Sequence, residues 1–178
     1  SIIGGDENKR HGIVLAKSPI AKKYGIKTAE TLYMARKKCP NIQIFPPNYS
    51  WYYKESFLFH NYLKQFTPNV EKYSVDEAFL DFSGTNYMYK DYILLANQIK
   101  DNIKEKYGFT VNVGIGNNML CAKMASDFEK PDKVHTLFLN EVQEKMWPLP
   151  IEDLFMVGKS TAKTLRNIGI NTIGELAN

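Results

Sequence analysis

Tyr73-Ser74-Val75-Asp76-Glu77-Ala78-Phe79-Leu80-Asp81 is the stretch that decides how this chain is read. Two β-rich segments, Val70 to Ser74 and Ala78 to Phe82, meet there at a pair of neighbouring acids. Consecutive residues of a regular strand point to opposite faces. Asp76 and Glu77 can therefore serve one ion only if the backbone turns between them, and a strand–turn–strand reading supplies that turn. Two carboxylates at a hairpin tip offer the hard oxygens that Mg²⁺ takes while keeping part of its water. Phosphoryl transfer by two metals needs carboxylates that hold the ions about 3.5–4 Å apart. A solvated hairpin tip with two charges would contain the same pair, so the acids alone do not choose between these readings.

Working outward, Tyr52, Ser56, Phe59, Leu63 and Phe66 fall on one helical face and predict a helix over about Tyr49 to Gln65. Tyr92, Leu95, Ile99 and Ile103 mark a longer amphipathic helix closed by Gly108. Thr110 to Gly116 alternates with period two and reads as a strand, after which Asn117 or Asn118 caps a helix through about Phe128. Val134 to Phe138 is a further strand, and Asn140 is expected to cap a helix ending near Trp147. Near the start, Ile2-Ile3 and Ile13-Val14-Leu15-Ala16 flank a polar, glycine-bounded run, Gly4 to Gly12, and predict a hairpin. Ser18-Pro19 opens a short helix stopped by Gly25, Thr28 is expected to cap a second running to about Lys38, and Ile42 to Phe45 reads as a strand. After Pro148-Leu149-Pro150 the pattern becomes all-helical: Ile151 to Phe155, a tight loop, Thr161 to Ile170, then Thr172 to Ala177.

Composition is that of a globular protein: 178 residues, 44% hydrophobic and 24% charged, with 11 Tyr and 10 Phe that belong mostly to a core. The net charge of +4 suits a polyanionic partner without demanding one. Cys39 and Cys121 make neither a metal-ligand spacing nor a disulfide framework, which favours a reducing compartment. No apolar run approaches the roughly 20 residues that span a bilayer, and no signal-peptide pattern opens the chain; no membrane association and a cytoplasmic location are expected. The chain opens on Ser1 rather than Met and stops at Asn178 inside a helical pattern, so both ends read as cut from something longer.

The string from Ser74 to Asp81 resembles the signature of Y-family translesion DNA polymerases: Ser, an apolar residue, Asp, Glu, Ala, an aromatic, Leu, Asp. Thr110 to Gly116, then Ala122-Lys123-Met124-Ala125-Ser126-Asp127 and Lys130-Pro131, is similar to that family's next block in order and distance. Leu15 to Pro19 and onward to Lys27-Thr28 looks like the UmuC-like (ImpB/MucB/SamB-type) branch. This resemblance implies an α+β fold: a palm-type, mainly antiparallel sheet with packed helices, small fingers and a helix-hairpin-helix thumb piece. Residues 1–45 would be a partial fingers region, 46–150 the palm and 151–178 the start of the thumb. It also implies a first palm strand, before Ser1, with another metal-binding Asp and a sugar-selecting aromatic, and a further DNA-gripping domain after the thumb.

By the same resemblance, Asp76 and Glu77 are the catalytic pair that holds two Mg²⁺ ions, and Lys130 reaches the triphosphate from the palm. Ser18, Lys17 and Lys22 are candidate nucleotide contacts at the first helix, although family members commonly carry Tyr where Pro19 stands and Arg where Lys22 stands. A lysine keeps the charge but not the bidentate fork. Gly158, Lys159, Thr161 and Lys163, with Arg166 nearby, match a helix-hairpin-helix that grips a DNA phosphate without reading sequence; the motif's second glycine is read as replaced by Ser160. Implied partners are primer-template DNA, a dNTP and a sliding clamp, in lesion bypass, DNA repair and the SOS response. Two rival classes stay open: a non-catalytic DNA-binding or accessory relative, and a nucleotidyl cyclase-type enzyme on a palm. Gly4-Gly5-Asp6-Glu7 is similar to the turn of diguanylate cyclases, but Asn8 stands where an aromatic is expected and no metal-binding strand precedes it, so it reads as a plain turn.

Overall fold

The computed structural model describes residues 1–6, 12–85 and 87–178; Glu7 to His11, the middle of the expected hairpin loop and part of the cyclase-like turn, lie outside the described residues. Two compact units divide the chain, 1–54 and 55–178. The first unit holds a three-stranded sheet in the order β2-β1-β3, with β1 (Ile2–Gly4) antiparallel to β2 (Val14–Lys17) and parallel to β3 (Ile44–Phe45). Helices α1 (Pro19–Lys23) and α2 (Leu32–Lys38) complete it around a core of Ile2, Val14, Ala21, Ile26, Leu32, Ala35 and Ile42. The side chain of Ser18 caps α1 by accepting from Ala21 N, with Pro19 at the first helical position as expected. The second helix starts later than expected, capped by Thr31 rather than Thr28. Ala29 N donates to Val14 O and Val14 N to Glu30 O, which ties residues 29–30 to β2 and delays the helix to Leu32.

In the second unit, α3 (Tyr49–Leu63), within which the division between units falls, leads to the hairpin β4 (Val70–Lys72) and β5 (Ala78–Leu80), paired antiparallel. Helix α4 (Tyr92–Tyr107) is set by Asp91, whose carboxylate accepts from Ile93 N and Leu94 N, and by Gly108 at φ 74, where a left-handed residue ends the helix. Phe59, Tyr62 and Leu63 of α3 and Leu95, Ile99 and Ile103 of α4 form a core against the apolar face of the hairpin, Val70, Ala78 and Leu80.

Strand β6 (Val113–Gly116) and helix α5 (Met119–Asp127), capped by Asn118 through Cys121 N, are followed by β7 (Val134–Leu137), which pairs parallel to β6. Beyond it, Asn140 does not cap a helix. It lies in a 3₁₀ turn, Leu139–Glu141, where the Glu141 carboxylate takes the Phe138 N–H, and the short helix α6 spans only Val142–Lys145. The segment after Pro150 likewise opens on a 3₁₀ turn, Ile151–Asp153, before α7 (Lys159–Asn167) and α8 (Ile173–Ala177). Cys121, Met124, Ala125, Leu137, Met146 and Ile173 share one core, so α8 packs onto the α5–β7 layer. The fold is α+β, with antiparallel and parallel strand pairs in equal number among the described residues. No helix among them is long and apolar enough to cross a membrane, and both cysteines are free thiols.

One contact fixes α5. A Cβ on Gly114 would lie 1.9 Å from Ala122 O and 2.5 Å from Ser126 N, and one on Gly116 would lie 2.7 Å from Ala122 N. Two glycines on one face of the strand let the helix backbone sit directly on it. Gly114→Val is expected to cost at least about 3 kcal/mol of stability in urea denaturation. Gly158→Ala, at φ −83 with open space around the new methyl, should change it by no more than about 0.5 kcal/mol.

Candidate active site

The acidic turn is closed by its own backbone: Tyr73 N and Ser74 N both donate to Glu77 O, at 3.0 and 3.1 Å. That closure brings the two acids to one side. The Ser74 hydroxyl lies 2.9 Å from Asp76 Oδ1 and 3.4 Å from Glu77 Oε2, between the two carboxylates. His60 of α3, anchored by Nδ1 donating to Ser56 O at 2.7 Å, places Nε2 3.4 Å from Glu77 O. Tyr73 packs edge-on against Phe79 and tilted against Phe155, with ring centroids 5.6 and 5.9 Å apart.

Helix α5 presents the counter-charges. Lys123 Nζ lies 2.6 Å from Glu77 Oε1 and 3.2 Å from Asp127 Oδ2, one turn along the same helix. Asp127 in turn takes Lys130 at 2.5 Å on its other oxygen. Glu77, Lys123, Asp127 and Lys130 thus form a line of alternating charge from the acidic turn to the lysine singled out for phosphate binding. The Lys123 side chain is 15% exposed and lies 5.8 Å from the centroid of the Phe155 ring. Burial pushes its ammonium pKa down, but hydrogen bonds to Glu77 and Asp127 outweigh this and raise it above the ordinary lysine value. For Asp127 burial pushes up, while hydrogen bonds from Lys130 and Lys123 win and hold its carboxyl below the usual carboxylate range.

Sequence reasoning singled out Asp76, Glu77 and Lys130, which this line of contacts joins. It quoted Ser74, Lys123 and Asp127 inside motifs without giving them roles. The i, i+4 spacing of Lys123 and Asp127 on a helix that follows a glycine-bearing strand was the available signal. Three further candidates belong to the first unit. Lys22 is exposed on α1; Lys17 Nζ donates to Thr28 Oγ1 at 2.9 Å; the Ser18 hydroxyl is engaged as the helix cap.

In the C-terminal piece, Gly158, Lys159, Thr161 and Lys163 are exposed, and Gly158 caps α7 without a side-chain bond, leaving the first-turn N–H groups uncovered by a cap. Ser160 is the second residue of that helix and needs no glycine. In the loop before that helix the left-handed conformation falls at Met156, at φ 73, and after it at Gly169, at φ 90. Arg166 is ion-paired with Glu152, which joins α7 to the preceding 3₁₀ turn. Among the described residues no group of three His, Cys, Asp or Glu side chains is placed to hold a metal.

Known families, proteins and solved structures resemble the chain over nearly its whole length. The impB/mucB/samB family matches residues 1–127, and the HHH motif of the IMS family matches residues 140–170. DNA polymerase IV of Clostridium acetobutylicum is 56% identical over 177 residues, 99% of this chain and 44% of that protein. DNA polymerase IV 2 of Bacillus subtilis is 37% identical over 179 residues, 99% of this chain and 43% of that protein. Among solved structures, the crystal structure of DinB from Sulfolobus solfataricus aligns with a TM-score of 0.88 at 27% identity, over 99% of this chain and 52% of that one. The insertion ternary complex of Dbh DNA polymerase aligns at 0.90, also at 27% identity, over 99% of this chain and 53% of that one. The chain belongs to the impB/mucB/samB family. It spans less than half the length of these curated relatives.

The depressed Asp127 pKa has a pH consequence. A carboxyl whose pKa is lower folded than unfolded stabilises the fold above the unfolded value, about 3.9, and that contribution fades as pH falls through the folded one. Wild type is therefore expected to exceed Asp127→Asn in stability at pH 6, with the difference shrinking steadily below about pH 4 in pH-resolved denaturation.

Proposed function

We propose that the protein containing this chain is a DNA-directed DNA polymerase of the translesion type, adding dNTPs to a primer 3′ end. The observation that supports this most is the Ser74 hydroxyl set between Asp76 Oδ1 and Glu77 Oε2, which brings both acids of the motif to one place. Their hard oxygens suit Mg²⁺, and two such donors leave most of its six positions to water, substrate and other ligands. In this reading another aspartate comes from a strand outside the present sequence. Among the described residues β5 pairs only with β4, and β6 only with β7, so both have an edge available to such a strand.

When bound, the two magnesium ions would activate the primer hydroxyl and offset charge on the phosphates. The chain's own side chains then have separable tasks. Asp76 and Glu77 are the ligands, with Glu77 orienting the attacking 3′-hydroxyl. Lys130, released from Asp127, meets the triphosphate as pyrophosphate departs, and Lys22 with Lys17 and Ser18 forms the nucleotide contact of the first unit. Gly158, Lys159, Thr161 and Lys163 grip a DNA phosphate through backbone N–H groups and charge, independent of sequence. Division into fingers, palm and thumb, recruitment by a sliding clamp, a cytoplasmic place and a part in DNA repair and the SOS response belong to the same proposal.

In the full-length protein, Asp76→Ala should abolish primer extension while gel-shift binding to primer-template stays within about twofold; unchanged extension removes Asp76 from the mechanism. The isolated 178-residue chain should not extend primers. Loss of extension together with loss of DNA binding would instead favour a folding defect. Lys163→Ala should weaken DNA binding about equally across sequences and reduce the salt slope by about one unit.

A further inference from the structure

Lys123 is a nearly buried cation on a site whose proposed chemistry gives it no task. Its ammonium touches only one oxygen of Glu77, Oε1, at 2.6 Å. The other, Oε2, is left toward Ser74 and so toward Asp76. Glu77 by itself has little to fix it: its side chain is 41% exposed, and a glutamate held in one rotamer gives up side-chain entropy. The lysine is well placed to hold that rotamer. Its ammonium lies over the Phe155 ring, its second contact is Asp127, and the helix that carries both residues is seated on Gly114 and Gly116.

We propose that Lys123 is a positioning residue: braced by Asp127, it fixes the Glu77 carboxylate beside Asp76 and so sets how the acidic turn meets a divalent cation. The proposal rests on the polymerase reading given above. It has a signature that plain structural support lacks, because the lysine acts in two opposed ways. A positive charge in contact with a ligand carboxylate weakens cation binding, whereas orientation of that carboxylate favours the reaction. Removing the charge should therefore improve binding and impair turnover together. A residue needed only for packing would lower both, and a bystander neither.

The test uses the full-length protein with Lys123→Met and Lys123→Arg, Mn²⁺ binding by electron paramagnetic resonance, and single-nucleotide primer extension. Lys123→Met is expected to bind Mn²⁺ roughly three- to tenfold tighter, with kcat lowered about 10- to 100-fold and KM for the nucleotide nearly unchanged. Lys123→Arg, which can still bridge two carboxylates, should recover most of the lost rate. Weaker Mn²⁺ binding alongside the lost rate, or a wild-type kcat in Lys123→Met, overturns the assignment. An Asp76→Ala control separates the two ideas. If the wild-type protein extends no primer the polymerase reading itself fails; if Asp76→Ala extends primers normally the acidic turn leaves the mechanism, and unchanged Mn²⁺ affinity in Lys123→Met then sinks the positioning role as well. If Asp76→Ala is inactive while Lys123→Met extends at the wild-type rate, only the lysine's role is lost.

Discussion

Direct contact between the backbone of α5 and the glycine face of β6 is the constraint on which the rest of the second unit depends. Helices normally stand off a sheet by the length of the side chains between them. Here Gly114 and Gly116 remove that layer, and a methyl group at Gly114 would overlap Ala122 O. The helix comes close enough for Asn112 Nδ2 to donate to Ser126 O at 3.0 Å, and to Glu129 O just beyond the helix at 2.7 Å. Everything charged about the site then follows from where α5 lies. Lys123 reaches the acidic turn, Asp127 is one turn behind it, and Lys130 folds back on Asp127. The β4–β5 hairpin supplies the acids, α5 supplies Lys123 and Asp127, and the glycines of β6 seat that helix.

The line from Glu77 to Lys130 also shows why its members cannot be weighed singly. Lys123 is too buried to be a casual surface ion pair, and exposed pairs contribute little. A lysine taken out of water needs its partners, and loss of one leaves an uncompensated charge. The opposing shifts agree with this: the ammonium is held charged despite burial, and the Asp127 carboxyl is held ionised despite its own desolvation. Lys130 differs in being mostly exposed, with one partner that it can exchange for another anion at small cost.

Much of this was legible in the sequence, and the places where it was not have physical causes. Local signals served well where one residue does one job: Ser18 and Asn118 cap their helices, and Gly108 ends α4. They failed where a distant partner took the residue. Thr28 is a good cap by type, but β2 engages the backbone just after it, and the helix waits for Thr31. Asn140 lost its role to Glu141, which reaches back to Phe138 N. In the helical hairpin, the motif resemblance marked Ser160 as standing for a glycine, whereas the left-handed residue of that loop is Met156, a conformation that sequence alone does not mark. For the site, the acidic pair announced itself through its motif. Ser74, Lys123 and Asp127 did not, because their roles exist only once a hairpin and a helix separated by dozens of residues are brought together.

The core under the last helix is shared with α5. Ile173 of α8 packs with Met124 and Ala125, the two residues that follow Lys123 along α5, and Phe155 N donates to Met124 Sδ at 3.3 Å. The last helix, α8, therefore shares its apolar seat with the same short helix that holds the cation against Glu77.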